Sequence, residues 1–101
     1  MDMEERYRLI ISSILNAIGF RTEVEHILST GRIDILCDTP RYIYVIELKL
    51  TKNGGLVAAE KQIMNNQYLE PFKADKKRKV VGLAIELDDM GKGLLEWKKV
   101  E

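Results

Sequence analysis

Residues 3 to about 18 open the chain on a helical period. Tyr7, Ile10, Ile11, Ile14, Leu15 and Ile18 recur at spacings of three and four, and Gly19 supplies a stop. From 20 to 29 the period shortens to two. Val24, His26 and Leu28 alternate with Glu23, Glu25 and Ile27, as in a strand with unlike faces. After a turn at Gly31, residues 32–38 read as a second strand, with Ile33, Ile35 and Cys37 on one face and Asp34 and Leu36 on the other. Thr39-Pro40-Arg41 is a short turn, with proline where a strand could not use it. Residues 42–50 form the clearest strand. Its Tyr42-Ile43-Tyr44-Val45-Ile46 run of β-branched and aromatic residues suits burial on both faces. Asn53-Gly54-Gly55 ends that strand as a hinge, without the pattern of a phosphate-binding loop. A helical period then runs from Leu56 to about Leu69, closed by Pro71. Lys73 to Lys79 is a basic loop, Val80 to Ile85 a buried strand, and Leu94 to Val100 a weaker final strand after the turn-rich Asp88–Gly93 segment.

This order, helix, three strands, helix, strand, strand, predicts an α/β fold. Short links make the first three strands an antiparallel meander. A helical crossover makes the third and fourth parallel neighbours with right-handed connectivity. The expected product is a small mixed sheet flanked by helices, in a single domain over residues 1–101.

Composition narrows the classes. A chain with 46% hydrophobic and 32% charged residues is neither disordered nor collagen-like. No apolar run approaches the ~18 residues of a membrane span, and the acidic start Met-Asp-Met-Glu-Glu is not a signal peptide. Cys37 is the single cysteine, which fits a reducing, cytoplasmic setting without disulfides. Sixteen basic and sixteen acidic residues cancel, which argues against strong indiscriminate binding of duplex DNA. A local patch remains available in Lys73, Lys76, Lys77, Arg78 and Lys79, as a solvated loop or a phosphate-contacting surface whose interaction salt would weaken. One histidine and one cysteine cannot build a zinc site, and a lone histidine supports no Ser-His-Asp set. His26 and Trp97 read as packing residues.

The chemistry lies at the end of the apolar third strand. Glu47 and Lys49 are two residues apart, so they share a face at roughly 7 Å. Pairing Asp38 with Arg41, or Thr39 with Tyr42, puts Asp34 on that face too; a register with an even residue sum puts it on the other. Two converging carboxylates repel and cost desolvation, which a hard divalent cation such as Mg²⁺ removes while keeping waters for substrate phosphates. A lysine beside them can hold developing negative charge or the attacking water. These are the parts of metal-assisted phosphodiester hydrolysis.

Gly31-Arg32-Ile33-Asp34-Ile35, thirteen positions to Glu47, then Glu47-Leu48-Lys49, resembles the Asp…Glu-X-Lys signature of the PD-(D/E)XK nuclease superfamily. More narrowly, with Gln62-Ile63 and Tyr68 on the following helix, it resembles the nuclease-like domain at the C-terminus of bacterial AAA-ATPase-like proteins. The resemblance implies a restriction-endonuclease-like core and a DNA-hydrolysing enzyme dependent on Mg²⁺ or Mn²⁺. By the same resemblance Asp34, Glu47 and the Leu48 carbonyl would hold the metal and Lys49 would assist water attack. Gln62 would steady the site and Tyr68 support it, with Glu5 as a possible auxiliary acid from the first helix. Glu25, read from its place on the first strand alone, is either a further member of the acidic cluster or an ordinary exposed carboxylate. Arg8 and Glu60 stand where the narrower group carries histidine and leucine. A homodimer or a fused ATPase is the expected partner besides DNA. The competing reading is a non-catalytic nucleic-acid-binding or partner-docking module that keeps the nuclease fold.

Overall fold

The Asp2 carboxylate accepts the Glu5 amide at 2.8 Å and starts the first helix, α1, Met3–Ala17. In the computed structural model, which describes all of residues 1–101, strands follow at β1, Arg21–Leu28, β2, Gly31–Asp38, and β3, Tyr42–Leu50. The second helix, α2, spans Gly55–Asn65, and β4, Lys79–Leu87, and β5, Leu94–Val100, complete the chain. The sheet has five strands in sequence order. β1, β2 and β3 are antiparallel, β3 and β4 parallel, and β4 and β5 antiparallel. This is the α/β, mixed-sheet topology expected from the element order.

The core forms two layers, one on each face of the sheet. On the α1 face Tyr7 packs with Ile35, Cys37, Ile46, Leu48 and Leu87; on the α2 face Ile63 and Tyr68 pack with Ile33, Val45, Ala84 and Val100. β3 feeds both, which explains its uninterrupted apolar start. No helix is long and apolar enough to cross a membrane.

Five expectations are corrected. The apolar stripe of α1 is split: Tyr7, Ile11 and Leu15 pack inward, whereas Ile10, Ile14 and Ile18 are exposed. Six apolar residues cover more of the helix than one sheet face can bury. Ile33 joins the α2 side although Ile35 and Cys37 lie on the α1 side. β1–β2 pairing runs His26–Ile33 and Val24–Ile35 but skips Glu25 opposite Asp34, where Glu25 takes φ 52° and bends the pair. α2 stops at Asn65 rather than Leu69. Gln67 adopts φ 52°, its amide bonds Met64 O at 3.2 Å, and the Tyr68 amide bonds Ile63 O at 3.0 Å. That left-handed cap satisfies the last carbonyls and turns Tyr68 into the core before Pro71 is reached. β4 is longer than 80–85 and carries Glu86, whose carboxylate accepts the Leu56 amide at the start of α2. Trp97 is 64% exposed on the edge strand, not packed. His26 does pack, tilted on Phe72 with ring centroids 5.9 Å apart.

Candidate active site

The turn at Thr39–Tyr42 sets the β2–β3 register. Thr39 N–H donates to Tyr42 O at 2.9 Å, and the pairs Asp38–Ile43, Cys37–Tyr44, Leu36–Val45 and Ile35–Ile46 follow. Continued by one step, the same offset sets Asp34 against Glu47, on one face, as one of the two registers open to the sequence requires. The backbone ladder gives way there to side chains. The Asp34 amide donates to Glu47 Oε1 at 3.2 Å, and the Leu48 amide donates to Asp34 Oδ2 at 2.8 Å. Each carboxylate thus replaces a strand carbonyl and is fixed in the fork between the strands.

The two carboxyls stand next to one another in this fork, where each disfavours ionisation of the other. Glu47 is 2% exposed, and burial, then the adjacent Asp34 charge, push its pKa up to about 9; the Lys49 ammonium offsets part of this. Burial raises Asp34 as well, against the opposing Leu48 amide and the Arg8 charge. Near neutral pH the metal-free pair therefore holds a proton.

Around this fork opens a cavity of about 440 Å³ in which Tyr68 is the only hydrophobic lining residue. Lys49 lines it from β3 and Glu25 from β1. Arg8 enters from α1, with Nη1 at 3.4 Å from Asp34 Oδ1 and Nη2 at 3.5 Å from Glu25 Oε1. Gln62 enters from α2, and its Nε2 donates to the Tyr68 hydroxyl at 3.2 Å, as does Asn66 Nδ2 at 3.2 Å. Tyr68 reaches the site only because Gly31 lacks a side chain: a Cβ there would lie 2.4 Å from the hydroxyl.

Asp34, Glu47, Lys49, Gln62, Tyr68 and Glu25 are therefore brought together. Leu48 contributes its amide to Asp34 and buries its side chain on the opposite, α1 face. Glu5 does not line the cavity; Glu4 does, because Glu4 and Arg8 are one helical turn apart on the same side of α1. None of the cations at 73, 76, 77, 78 and 79 lines it either. Because β4 runs parallel to β3, the loop entering β4 lies at the start of β3, where Tyr42 pairs with Lys79, roughly 16 Å along the strand from Glu47. Two of those cations are also neutralised locally: Arg78 by Asp38 and Asp75 at 2.9 Å, and Lys73 by Glu70 at 2.6 Å. Sequence reasoning missed Glu4, Asn66 and the role of Arg8. The four-residue spacings Glu4–Arg8 and Gln62–Asn66 are the signal that could have found the first two.

The donor set fits a hard divalent cation. It offers two carboxylates whose mutual repulsion is relieved by a proton that such an ion would displace. It has no cluster of three or more His, Cys, Asp or Glu side chains, so further ligands would be carbonyl, water or phosphate oxygens. A mixed sheet that delivers an acidic fork and a lysine to one polar cleft defines a nuclease-type hydrolase core. Residues 2–97 match the family model of the PD-(D/E)XK nuclease superfamily, and the chain belongs to that superfamily. No curated protein and no solved structure matches the chain.

Proposed function

We propose that the protein is a Mg²⁺- or Mn²⁺-dependent deoxyribonuclease. The observation that carries this reading is the interlocked Asp34–Glu47 fork, with Lys49 lining the same cleft. Asp34 and Glu47, with the Leu48 carbonyl, would hold the ion. When bound, it would supply Lewis acidity toward the scissile phosphate and an acidified water. Lys49 stabilises negative charge gathering on the phosphate or holds the attacking water. Gln62 and Tyr68, bonded to each other, keep the α2 wall of the cleft rigid beside the fork. Arg8 presents a second cation at Asp34 and can turn toward a phosphate oxygen once the carboxylates have another counter-charge. The resemblance to domains carried by AAA-ATPase-like chains supports an ATPase partner that delivers substrate.

A non-catalytic module that keeps the fold is the second reading. It is favoured by the basic run lying away from the cleft and by Arg8 already paired to Asp34. The test is incubation of plasmid DNA, linear DNA and RNA with Mg²⁺ or Mn²⁺. The expected result is cutting of DNA that chelator stops and that Lys49→Ala lowers at least 100-fold with the fold intact. Binding of DNA that neither chelator nor Lys49→Ala changes, without cutting, would select the module instead.

A further inference from the structure

At the end of the sheet remote from the fork, β3 begins with an aromatic pair. Tyr42 and Tyr44 stack on one another, with ring centroids 5.6 Å apart and planes at 28°. Tyr44 packs with the core of the α1 face, and Tyr42, two residues away, shares that face. Tyr42 is 37% exposed, which leaves ring surface for a further flat group. With Phe20, Thr39, Pro40 and Arg41 the two tyrosines line a cavity of about 310 Å³ that contains no acid. That volume is at the lower end of the roughly 300–1,000 Å³ of ligand pockets. The turn beneath it is tied down. The Tyr42 amide donates to Thr39 Oγ1 at 2.9 Å, and the Thr39 hydroxyl donates to Tyr42 O at 2.9 Å.

The basic run meets this pocket. The Lys79 amide donates to Arg41 O at 3.0 Å, and Lys79 pairs with Tyr42 across the parallel ladder, on the same face. Lys73 and Arg78 are bonded to carboxylates, whereas Lys76, Lys77, Lys79 and Arg41 are exposed and lie in no salt bridge. The nearby acids face elsewhere: Asp38, opposite Ile43, stands on the α2 face, and Asp38 and Asp75 are both held by Arg78. Aromatic rings flanked by cations that no carboxylate neutralises suit a ligand with a π-face and phosphates. The rings take a base and the cations its backbone. A duplex keeps its bases stacked inside, so an unpaired strand is what offers them.

We propose that this pocket binds single-stranded nucleic acid, with an unpaired base stacked on Tyr42 and the flanking phosphates held by Arg41, Lys79 and the Lys76–Lys77 loop. The site lies roughly 16 Å along β3 from Glu47 and on the opposite face of the sheet. It contains no carboxylate pair, so its binding needs no divalent ion and stands independently of the nuclease reading. It also gives a ligand to the basic run, which lines no part of the cleft.

Fluorescence anisotropy tests this with end-labelled DNA and RNA strands of about ten nucleotides, within the span of one such site. A duplex of the same length is the third ligand, and chelator keeps the fork free of metal throughout. The expected result is binding of a single strand, DNA or RNA, more tightly than the duplex and falling steeply with salt. Tyr42→Ala lowers affinity about 5- to 150-fold, the range of one stacked base, and Tyr42→Phe retains it. Lys79→Glu and Arg41→Glu lower affinity and flatten its salt dependence. Both positions are exposed, so these variants test the site even if Tyr42→Ala fails to fold. Lys92→Glu, the same charge change in the exposed loop at the other end of β4, leaves affinity unchanged. Absence of binding, a duplex bound as tightly as a single strand, a folded Tyr42→Ala protein that binds as wild type does, or an equal loss from Lys92→Glu would overturn the proposal.

Discussion

Glu47 is a carboxylic acid held out of water beside a second carboxyl, and its behaviour is set by that placement. Its pKa is raised from 4.5 to about 9, so between those values the metal-free folded chain keeps a proton that the unfolded chain has released. Stability is then fully present below about pH 4.5 and falls as pH rises toward 9, by at most about 1.4 kcal/mol per pH unit. Asp34, also raised, acts in the same direction. Thermal melts of the metal-free protein from pH 5 to 8.5 should show this decline, and Glu47→Gln, which cannot ionise, should flatten it. A decline of equal slope in the variant would place the titration elsewhere. Lys49→Met should leave metal affinity within a few-fold of wild type while cutting is lost, since Lys49 faces the fork without belonging to it; equal loss of both would make it part of the metal-holding set. Gly31→Ala should cost about 2 kcal/mol in denaturant unfolding, because the added methyl overlaps the Tyr68 hydroxyl, itself fixed by Gln62 and Asn66.

At the scale of elements, strand order and the Asp34–Glu47 pairing were legible because short turns and apolar runs leave few alternatives. Thr39-Pro40-Arg41 allowed a pairing that sets the two acids on one face, and the observed register is the Thr39–Tyr42 one. Gly19 was equally readable: it takes φ 104° as the left-handed cap of α1, with the Phe20 amide bonded to Leu15 O at 3.0 Å. The end of α2 was not, because a glutamine does the same work at Gln67. Gln67→Gly should therefore stabilise the protein by about 0.5–1 kcal/mol, read from the shift in denaturant midpoint, since glycine adopts that backbone without the side-chain penalty. The buried side of α1 was hidden because apolar residues occupy too much of it, and the bend that separates Ile33 from Ile35 depends on Glu25 in a different strand. The reach of Arg8 to Asp34 depends on how α1 lies on the sheet, which helical period does not report.

Across the whole molecule, zero net charge conceals an uneven distribution. Five acids outnumber Arg8, Arg32 and Lys49 around the cleft, while the basic run lies at the far end of β3, partly spent on Asp38, Asp75 and Glu70. Substrate phosphate approaching this cleft would meet a net acidic wall unless a cation were bound, so ion binding and nucleic-acid binding should be coupled. The fork is the part on which the functional reading rests, and calorimetric titration of Mg²⁺ and Mn²⁺ into the metal-free protein at pH 7.5, repeated in buffers of different ionisation heat, tests it most directly. The expected result is an ion bound at the fork with release of about one proton, the one held on Glu47 near neutral pH, and loss of that binding in Asp34→Ala and Glu47→Gln. Ion binding without proton release, or binding that survives both substitutions, would contradict it.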